Sequence, residues 1–367
     1  MKKILFCAST VSHINNFHLP YLKAFHDLGY EVHVAANESV PIKWADKVFA
    51  VPFYKNLFSP KNIFAIFRAR KLLTTHNYEK INTNATLAGI IMRVAVMLVK
   101  SRPRVYHISH GYLFNLVGLK KYLYLLPEKI VAGVSDIVMV MNHEDHVIAK
   151  KYKLYKDNLY YINGMGVDPS RFTSVSSQEK SNLKRQIGFT SDDFLFVYAA
   201  EFSKRKNQKF LIKAFAKCRL GKAHLLLAGD GKTLDECKQL TKQLGLTEKI
   251  HFLGYVNNVP ELYRACDVVV SASLIEGLPF NIIEAMISEL PVVASNIKGH
   301  FELVEQNVNG LLFQNRNEQE LITCLKKIYS FSHEQRTFYG QVGKNKSKTF
   351  LLDHVFDHIM NIYTEKL

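Results

Sequence analysis

Two carboxylates, Glu276 and Glu284, stand eight residues apart in the stretch EGLPFNIIEAM, with Gly277, Pro279 and an apolar run between them. Pro279 suits the first position of a helix, where a missing N–H costs nothing and φ is already set. The helix start, residues 278–281, would then offer unpaired backbone N–H groups, a setting that favours an anion. Glu284 has apolar neighbours on both sides, so the sequence predicts a partly buried carboxyl in need of a partner. Glu276 follows VVVSASLI, at the mouth of whatever cleft that strand faces. An anion lying between the two carboxylates suits a molecule with both phosphates and hydroxyls. The plainer alternative is a surface helix with two incidental carboxylates.

Other segments carry compatible chemistry. EFSKRKNQ (201–208) follows a strand-like run and holds Lys204, Arg205 and Lys206. Such a run at a strand's carboxyl end, ahead of a helix, can bind phosphate or can be a solvated loop. In LLAGDG, Gly229 and Gly231 directly follow a strand, where they either let backbone approach a ligand or make a tight turn. There is no D-x-D triplet, which removes one common way of holding a metal-bound nucleotide sugar. Cys7, Cys218, Cys237, Cys266 and Cys324 are odd in number and scattered, without a C-x-x-C pair. That pattern argues against a disulfide framework and a zinc site, and fits a reducing cytosol. His143, Glu144, Asp145 and His146 are consecutive, so they point in different directions and read as a solvated helix start.

The elements that must position these residues alternate along the chain. At 367 residues, with 48% hydrophobic and 22% charged, the sequence is long and apolar enough for two domains of ordinary size. MKKILFCAST reads as an opening strand, because polar His13, Asn15, Asn16 and His18 follow at once. LAGIIMRVAVMLV is interrupted by Arg93 and is too short to span a bilayer. Strands apolar throughout, separated by helices, imply parallel sheets covered on both faces. One helix is expected through NNFHLPYLKAFHDLG, closed by Gly29. The alternation pauses at NGMGVDPSRFTS (163–174) and resumes, which predicts two doubly wound α/β domains joined near residue 170 with ligand at the strands' carboxyl ends. Charge is uneven: residues 1–170 hold 22 Lys and Arg against 11 Asp and Glu, the remainder 26 against 21. Anionic lipid or a phosphorylated substrate suits that surplus. Nucleic acid ranks last, since no helix-turn-helix, zinc-finger or RRM-like pattern occurs.

Taken together, SASLIEGLPFNIIEAMISELPVVAS, INGMGVDPSRF, LAGDG, IHFLGYVNNVPELYRACDVVV and IKGHFELVEQNVNGLLF resemble the retaining glycosyltransferases of family 4, over nearly the whole chain. GHFELVEQNVNG and HGYLF are most similar to the branch that builds capsular and exopolysaccharide repeat units. The resemblance implies the GT-B fold, with two Rossmann-like doubly wound parallel-sheet domains facing a central cleft. Residues 1–170 would bind the acceptor, residues 171–347 the nucleotide sugar, and residues 348–367 would pack back on the first domain as a helix.

The resemblance also implies roles. Glu284 binds the ribose hydroxyls, Glu276 the donor sugar, and the backbone of Leu278, Pro279 and Phe280 the distal phosphate. Lys206 matches the family's phosphate-binding lysine, with Arg205 as helper. Gly229, Gly231, Tyr255, Gly277 and Asn281 complete the donor site. The charge gained by a departing diphosphate is met by a lysine and a helix start, with no metal or other cofactor. Three departures from the family pattern occur. Ala200-Glu201-Phe202 replaces a frequent G-R-L. Asn84 stands where many members carry a histidine, and asparagine can hydrogen-bond a sugar but cannot act as a base. STVSHINN replaces a Gly-Gly loop, so Ser12, His13 and His18 face the acceptor or the phosphates, or else serve the core or surface. His110 ends a strand that faces the cleft and is a further catalytic candidate.

The expected activity is therefore retaining, metal-independent transfer of an N-acetylhexosamine or hexose from a UDP-sugar to a lipid-linked (polyprenyl diphosphate) saccharide, in capsule or exopolysaccharide synthesis. FYKNLFSPKNIFAIFRARKLL (53–73) and YLFNLVGLKKYLYLL (112–126) mix apolar and basic residues as an interfacial surface would, which predicts a peripheral protein on the inner face of the cell membrane. Two other activities fit less of the pattern: a UDP-N-acetylglucosamine 2-epimerase-like enzyme, and a catalytically silent nucleotide-sugar-binding partner of another transferase.

Overall fold

Short apolar runs become parallel strands wherever both faces of the run are covered. The computed structural model describes residues 1–54, 59–112 and 121–365. In one unit, Met1–Gly166 with Val355–Leu367, the strands are β1 (Lys3–Cys7), β2 (Glu31–Ala36), β3 (Lys47–Ala50), β4 (Lys80–Asn84), β5 (Arg104–Ser109), β6 (Ile137–Val140) and β7 (Asn158–Tyr161). They form one sheet in the order β3-β2-β1-β4-β5-β6-β7, parallel throughout. The central strands are buried on both faces, as in Ile4-Leu5-Phe6-Cys7, which explains why they read as continuous apolar runs. The edge strands β3 and β7 are only four residues long and half-exposed, and their sequences carry no such signal.

The connecting helices of this unit are α1 (Val11–Phe17), α2 (Leu19–Asp27), α3 (Asn62–His76), α4 (Thr86–Met97), α5 (Lys121–Val131) and α6 (His143–Tyr152). The single helix expected after β1 is two helices, and the first starts earlier, at Thr10, whose hydroxyl caps the His13 N–H. Pro20 lies in the first turn of α2; it has no N–H to bond four residues back, so the helix breaks at His18. Arg93 of α4, fully buried, is satisfied by Glu128 at 2.8 Å, the Ser135 hydroxyl and the Gly89 carbonyl. The start of α6 is not simply solvated, because Asp145 is buried and accepts from Asn142 and the Tyr112 N–H.

The other unit, Val167–His354, contains β8 (Phe194–Ala199), β9 (Ala223–Ala228), β10 (Ile250–Gly254), β11 (Val268–Ser271), β12 (Val292–Asn296) and β13 (Gly310–Gln314), parallel in the order β10-β9-β8-β11-β12-β13. Its helices are α7 (Ser177–Gln186), α8 (Gln208–Cys218), α9 (Leu234–Gln243), α10 (Val259–Ala265), α11 (Phe280–Ile287), α12 (His300–Leu303), α13 (Glu318–Tyr329) and α14 (His333–Ser347). Phe194, Phe196 and Tyr198 of β8 pack with Leu211 and Phe215 of α8 in a core that also takes Leu321 and Leu325 of α13. The last helix, α15 (Leu352–Thr364), puts Tyr363 into the first unit's core, where Asn82 donates to its hydroxyl at 2.7 Å.

In both sheets the strand order reverses beside the first strand, between β1 and β4 and between β8 and β11. Loops leaving the carboxyl ends of those neighbours diverge there and leave a crevice. Several residues singled out from the sequence, among them His13, Arg205, Lys206 and Glu276, fall after these strands, and the others end or follow these or neighbouring strands or lie in α11.

Candidate functional site

In the second unit, the loop after β8 carries Arg205 and Lys206, and the loop after β11 carries Glu276. Adjacent parallel strands bring the two loops together, and the Leu274 N–H donates to the Arg205 carbonyl at 2.8 Å. Lys206 Nζ lies 2.6 Å from one Glu276 oxygen and Arg205 Nη1 2.7 Å from the other. Glu276 is 7% exposed and Lys206 12%, whereas Arg205 is 42% exposed and reaches solvent. Burial alone would raise the Glu276 carboxyl, but the Lys206 ammonium and Arg205 guanidinium outweigh it and hold the carboxyl down at about 2. Burial lowers the Lys206 ammonium, against the pull of Glu276. The cluster is a carboxylate held between two cations that keep further N–H groups for another anion.

Eight residues on, Glu284 lies in α11 and lines a cavity of about 340 Å³. Ala199, Glu201, Gly229, Asp230, Tyr255 and Asn281 share that cavity, which falls within the usual size range of small-ligand sites. Burial raises the Glu284 carboxyl to about 7, with Arg171 opposing. Among the described residues no side chain hydrogen-bonds this carboxyl. Tyr255, 76% exposed, stands at the rim, and the Asn281 amide donates to the Ala199 carbonyl at 3.2 Å.

The helix start differs in one detail from expectation. Pro279 is the N-cap, with φ −80° and ψ 100°, and the first helical residue is Phe280. The extended ψ keeps Pro279 outside the helix while its carbonyl accepts from the Ile282 and Ile283 N–H groups. Gly277 is half-buried and Leu278 buried beside it. The glycines after β9 serve packing: a Cβ on Gly229 (φ 140°) would stand 2.1 Å from the Ala200 carbonyl oxygen, and one on Gly231 2.4 Å from that of Phe202. Close packing against the loop after β8, a third reason beside ligand approach and a tight turn, accounts for both glycines, and Gly229 also lines the cavity.

Two residues of this site escaped the sequence reading. Gly299 (φ 80°) backs the 277–279 loop, since a Cβ there would meet the Gly277 carbonyl oxygen at 2.6 Å. His300 is fully buried, with Ser271 at 3.2 Å on one nitrogen and the Ser295 carbonyl at 2.8 Å on the other; burial lowers it to about 4, with Glu276 opposing. Both occur in IKGHFEL, and a positive-φ glycine is a signal only once its neighbour is known.

In the first unit, β1, β4 and β5 end side by side and bring the remaining candidates together. His110 Nε2 lies 3.4 Å from Asn84 Oδ1, and the His13 ring centroid lies 4.4 Å from that of His110 and 5.4 Å from that of His18. Asn84 and His18 are fully buried. Ser12 stands apart, exposed and bonded to the Thr10 hydroxyl.

Comparison with known proteins agrees with this architecture. Residues 179–346 match the family described as glycosyl transferases group 1. EpsD of Bacillus subtilis, whose name assigns it a glycosyltransferase role, is 32% identical over 368 residues, covering 99% of this chain and 96% of its own. An Escherichia coli UDP-Gal:alpha-D-GlcNAc-diphosphoundecaprenol alpha-1,3-galactosyltransferase is 27% identical, covering 82% of this chain and 80% of its own. HepE of Anabaena, solved with UDP and glucose, superposes with a TM-score of 0.80 at 21% identity over the full length of both chains. The paired parallel sheets are those of the GT-B fold, and at this identity over nearly its whole length the chain belongs to the group 1 glycosyltransferase family.

Proposed function

We propose that the protein transfers a hexose or N-acetylhexosamine from a UDP-sugar, with retention of anomeric configuration, to a lipid-linked saccharide in capsule or exopolysaccharide synthesis. The observation that carries the donor half is the buried Glu276 held by Lys206 and Arg205, beside a cavity lined by Glu284, whose carboxyl no side chain among the described residues hydrogen-bonds. Glu284 accepts from the ribose hydroxyls, and the start of α11, favoured by its dipole, faces the distal phosphate. Glu276 orients the sugar, while Lys206 and Arg205 meet the charge that grows on the departing diphosphate. The diphosphate thus needs no divalent cation. Retention follows the family 4 resemblance: the acceptor hydroxyl attacks the face that the diphosphate leaves, and a diphosphate oxygen takes its proton. In the first unit, Asn84, His110, Ser12 and His13 are the candidates that the resemblance offers for the sugar and the acceptor, whereas His18 is fully buried.

The acceptor half draws support from two sources. One is the E. coli relative, whose name states a diphosphoundecaprenol-linked acceptor. The other is the first unit's surface. Ile63, Phe64 and Phe67 of α3 are exposed among Lys61, Arg68, Arg70 and Lys71, and Tyr122, Leu123, Leu126 and Ile130 of α5 are exposed beside Lys129. Residues 55–58 and 113–120 of the two stretches singled out in the sequence lie outside the described residues. No helix among the described residues is long and apolar enough to cross a membrane. Peripheral attachment on the inner face of the cell membrane through these exposed apolar and basic residues is part of the proposal.

Family membership sets aside the epimerase. The silent-partner reading predicts no turnover. The test is UDP release from a panel of UDP-sugars, with and without polyprenyl-diphosphate saccharides. Slow hydrolysis without acceptor, faster release with the right acceptor, and loss of both in Glu276→Ala are expected. Donor binding with no release under any condition would leave the silent partner.

A further inference from the structure

The break between α1 and α2 has a chemical consequence. His18 sits at the joint, fully buried, and neither of its ring nitrogens has a hydrogen-bond partner. His13, one turn earlier on α1, has a buried Nε2 that is likewise unpartnered. His110, immediately after β5, completes the group, and a ring nitrogen from each histidine lies within 4.8 Å of the others. Buried polar atoms without partners are rare because each loses its hydration for nothing in return. Two neighbouring histidines with such atoms, and a third ring nitrogen within 4.8 Å of both, indicate a missing ligand.

The neighbouring groups say which kind. Asn84 Nδ2 donates to the Cys7 carbonyl at 3.1 Å and to Asn82 Oδ1 at 2.5 Å, and Asn82 Nδ2 donates in turn to the Tyr363 hydroxyl. Those acceptors fix the Asn84 amide so that its Oδ1 faces His110 Nε2, which must therefore be the protonated nitrogen, leaving a lone pair on Nδ1. A carbonyl oxygen holding the far N–H of an imidazole is the outer-shell arrangement usual for a metal-bound histidine. Among the described residues no carboxylate joins the group. Hard, oxygen-seeking cations such as magnesium are therefore poor occupants, and borderline ions that favour imidazole are good ones.

We propose that His13, His18 and His110 form a three-imidazole site for a divalent transition-metal ion of the zinc class, with a fourth position open to water or a substrate oxygen. Tetrahedral zinc, with Zn–N bonds of about 2.0–2.1 Å, wants its nitrogens roughly 3.4 Å apart, so the rings close by about an ångström on binding. His13 rides on a short helix and is only half-buried, which gives it the freedom to do so. The cysteine pattern, which argues against a cysteine-held zinc site, does not bear on an all-histidine one, whose ligands come from α1 with its C-cap and from the segment after β5, with His18 and His110 92 residues apart. The site is also distinct from the cation-free diphosphate binding proposed above, which concerns magnesium-like ions on phosphate oxygens.

Cobalt(II) titration of tag-free, chelator-treated protein tests this, because cobalt in a tetrahedral nitrogen site absorbs in the visible. One equivalent should bind, zinc should displace it, and magnesium should not. His13→Gln, the variant least disturbing to the core, His18→Asn and His110→Asn should each weaken binding at least tenfold. His224→Gln, at a histidine pair in the second unit, should leave it unchanged. Circular dichroism separates lost binding from lost fold, and uridine diphosphate binding measured alongside tests the donor site separately. No tetrahedral cobalt band, or a band that survives His13→Gln and His110→Asn in folded protein, would overturn the proposal.

Discussion

Glu276 and Glu284 are chemically alike and are driven in opposite directions. Glu276 is held down at about 2 by two cations, so its contribution to stability is complete above its unfolded value near 4.5 and is lost as pH falls toward 2. Glu276→Gln should remove that acid-dependent part of the stability curve. It should cost about 2 kcal/mol at pH 7, below the usual 3–5 kcal/mol for breaking a buried pair because Arg205 reaches solvent; urea unfolding across pH measures both. Glu284 is raised to about 7, so its contribution has the other sign: no penalty below about 4.5, and a growing one up to about 7. An ionised carboxylate is the better acceptor for ribose hydroxyls. Affinity for a UDP-sugar, whose diphosphate diester does not titrate in this range, should therefore rise from pH 5.5 to 8 with release of a proton. Glu284→Gln should flatten that slope, as calorimetry in buffers of different ionisation enthalpy would detect. Both carboxylates were legible in the sequence because their chemistry lies in one local stretch. That Lys206 and Arg205 spend their charge on Glu276 was not, since the partners are some seventy residues apart and only the β8–β11 neighbourhood joins them.

At the scale of elements, strands buried on both faces announce themselves, and so does α8, whose Leu211, Ile212, Phe215 and Cys218 recur at helical spacing on its buried side. The edge strands β3 and β7 did not, because each is only four residues long and half-exposed, too short for a pattern to stand out. The α1–α2 break was signalled by Pro20, but the residue it buries, His18, is identified only by packing. The loop ahead of α11 depends on a close approach that no local pattern reveals. Gly299→Ala would strain a positive φ and press its Cβ on the Gly277 carbonyl, so we expect a loss of about 1–3 kcal/mol in stability. Donor affinity should fall with it, because the displaced loop leads into α11. Gly133→Ala, with open space around its Cβ, is the matched control.

Over the whole molecule, the positive surplus and the exposed apolar residues of α3 and α5 occur in the same half of the chain. The surplus of 11 positive charges in residues 1–170 accompanies the bare phenylalanines of α3. Binding to anionic vesicles should therefore fall steeply with salt, and should keep an apolar component at high salt. Phe64→Asp with Phe67→Asp should weaken it about 100-fold, since each buried ring contributes at least ~1.5 kcal/mol and 1.4 kcal/mol is tenfold. Equal binding of that folded variant in a flotation assay would contradict peripheral attachment through α3. The donor clamp is the centre of the account, and calorimetric titration of a UDP-sugar in chelator-containing buffer tests it most directly. The account predicts saturable one-to-one binding that Lys206→Ala and Glu284→Ala each weaken at least tenfold while both variants stay folded. No binding of any UDP-sugar without added magnesium or manganese, or binding indifferent to both substitutions, would contradict it.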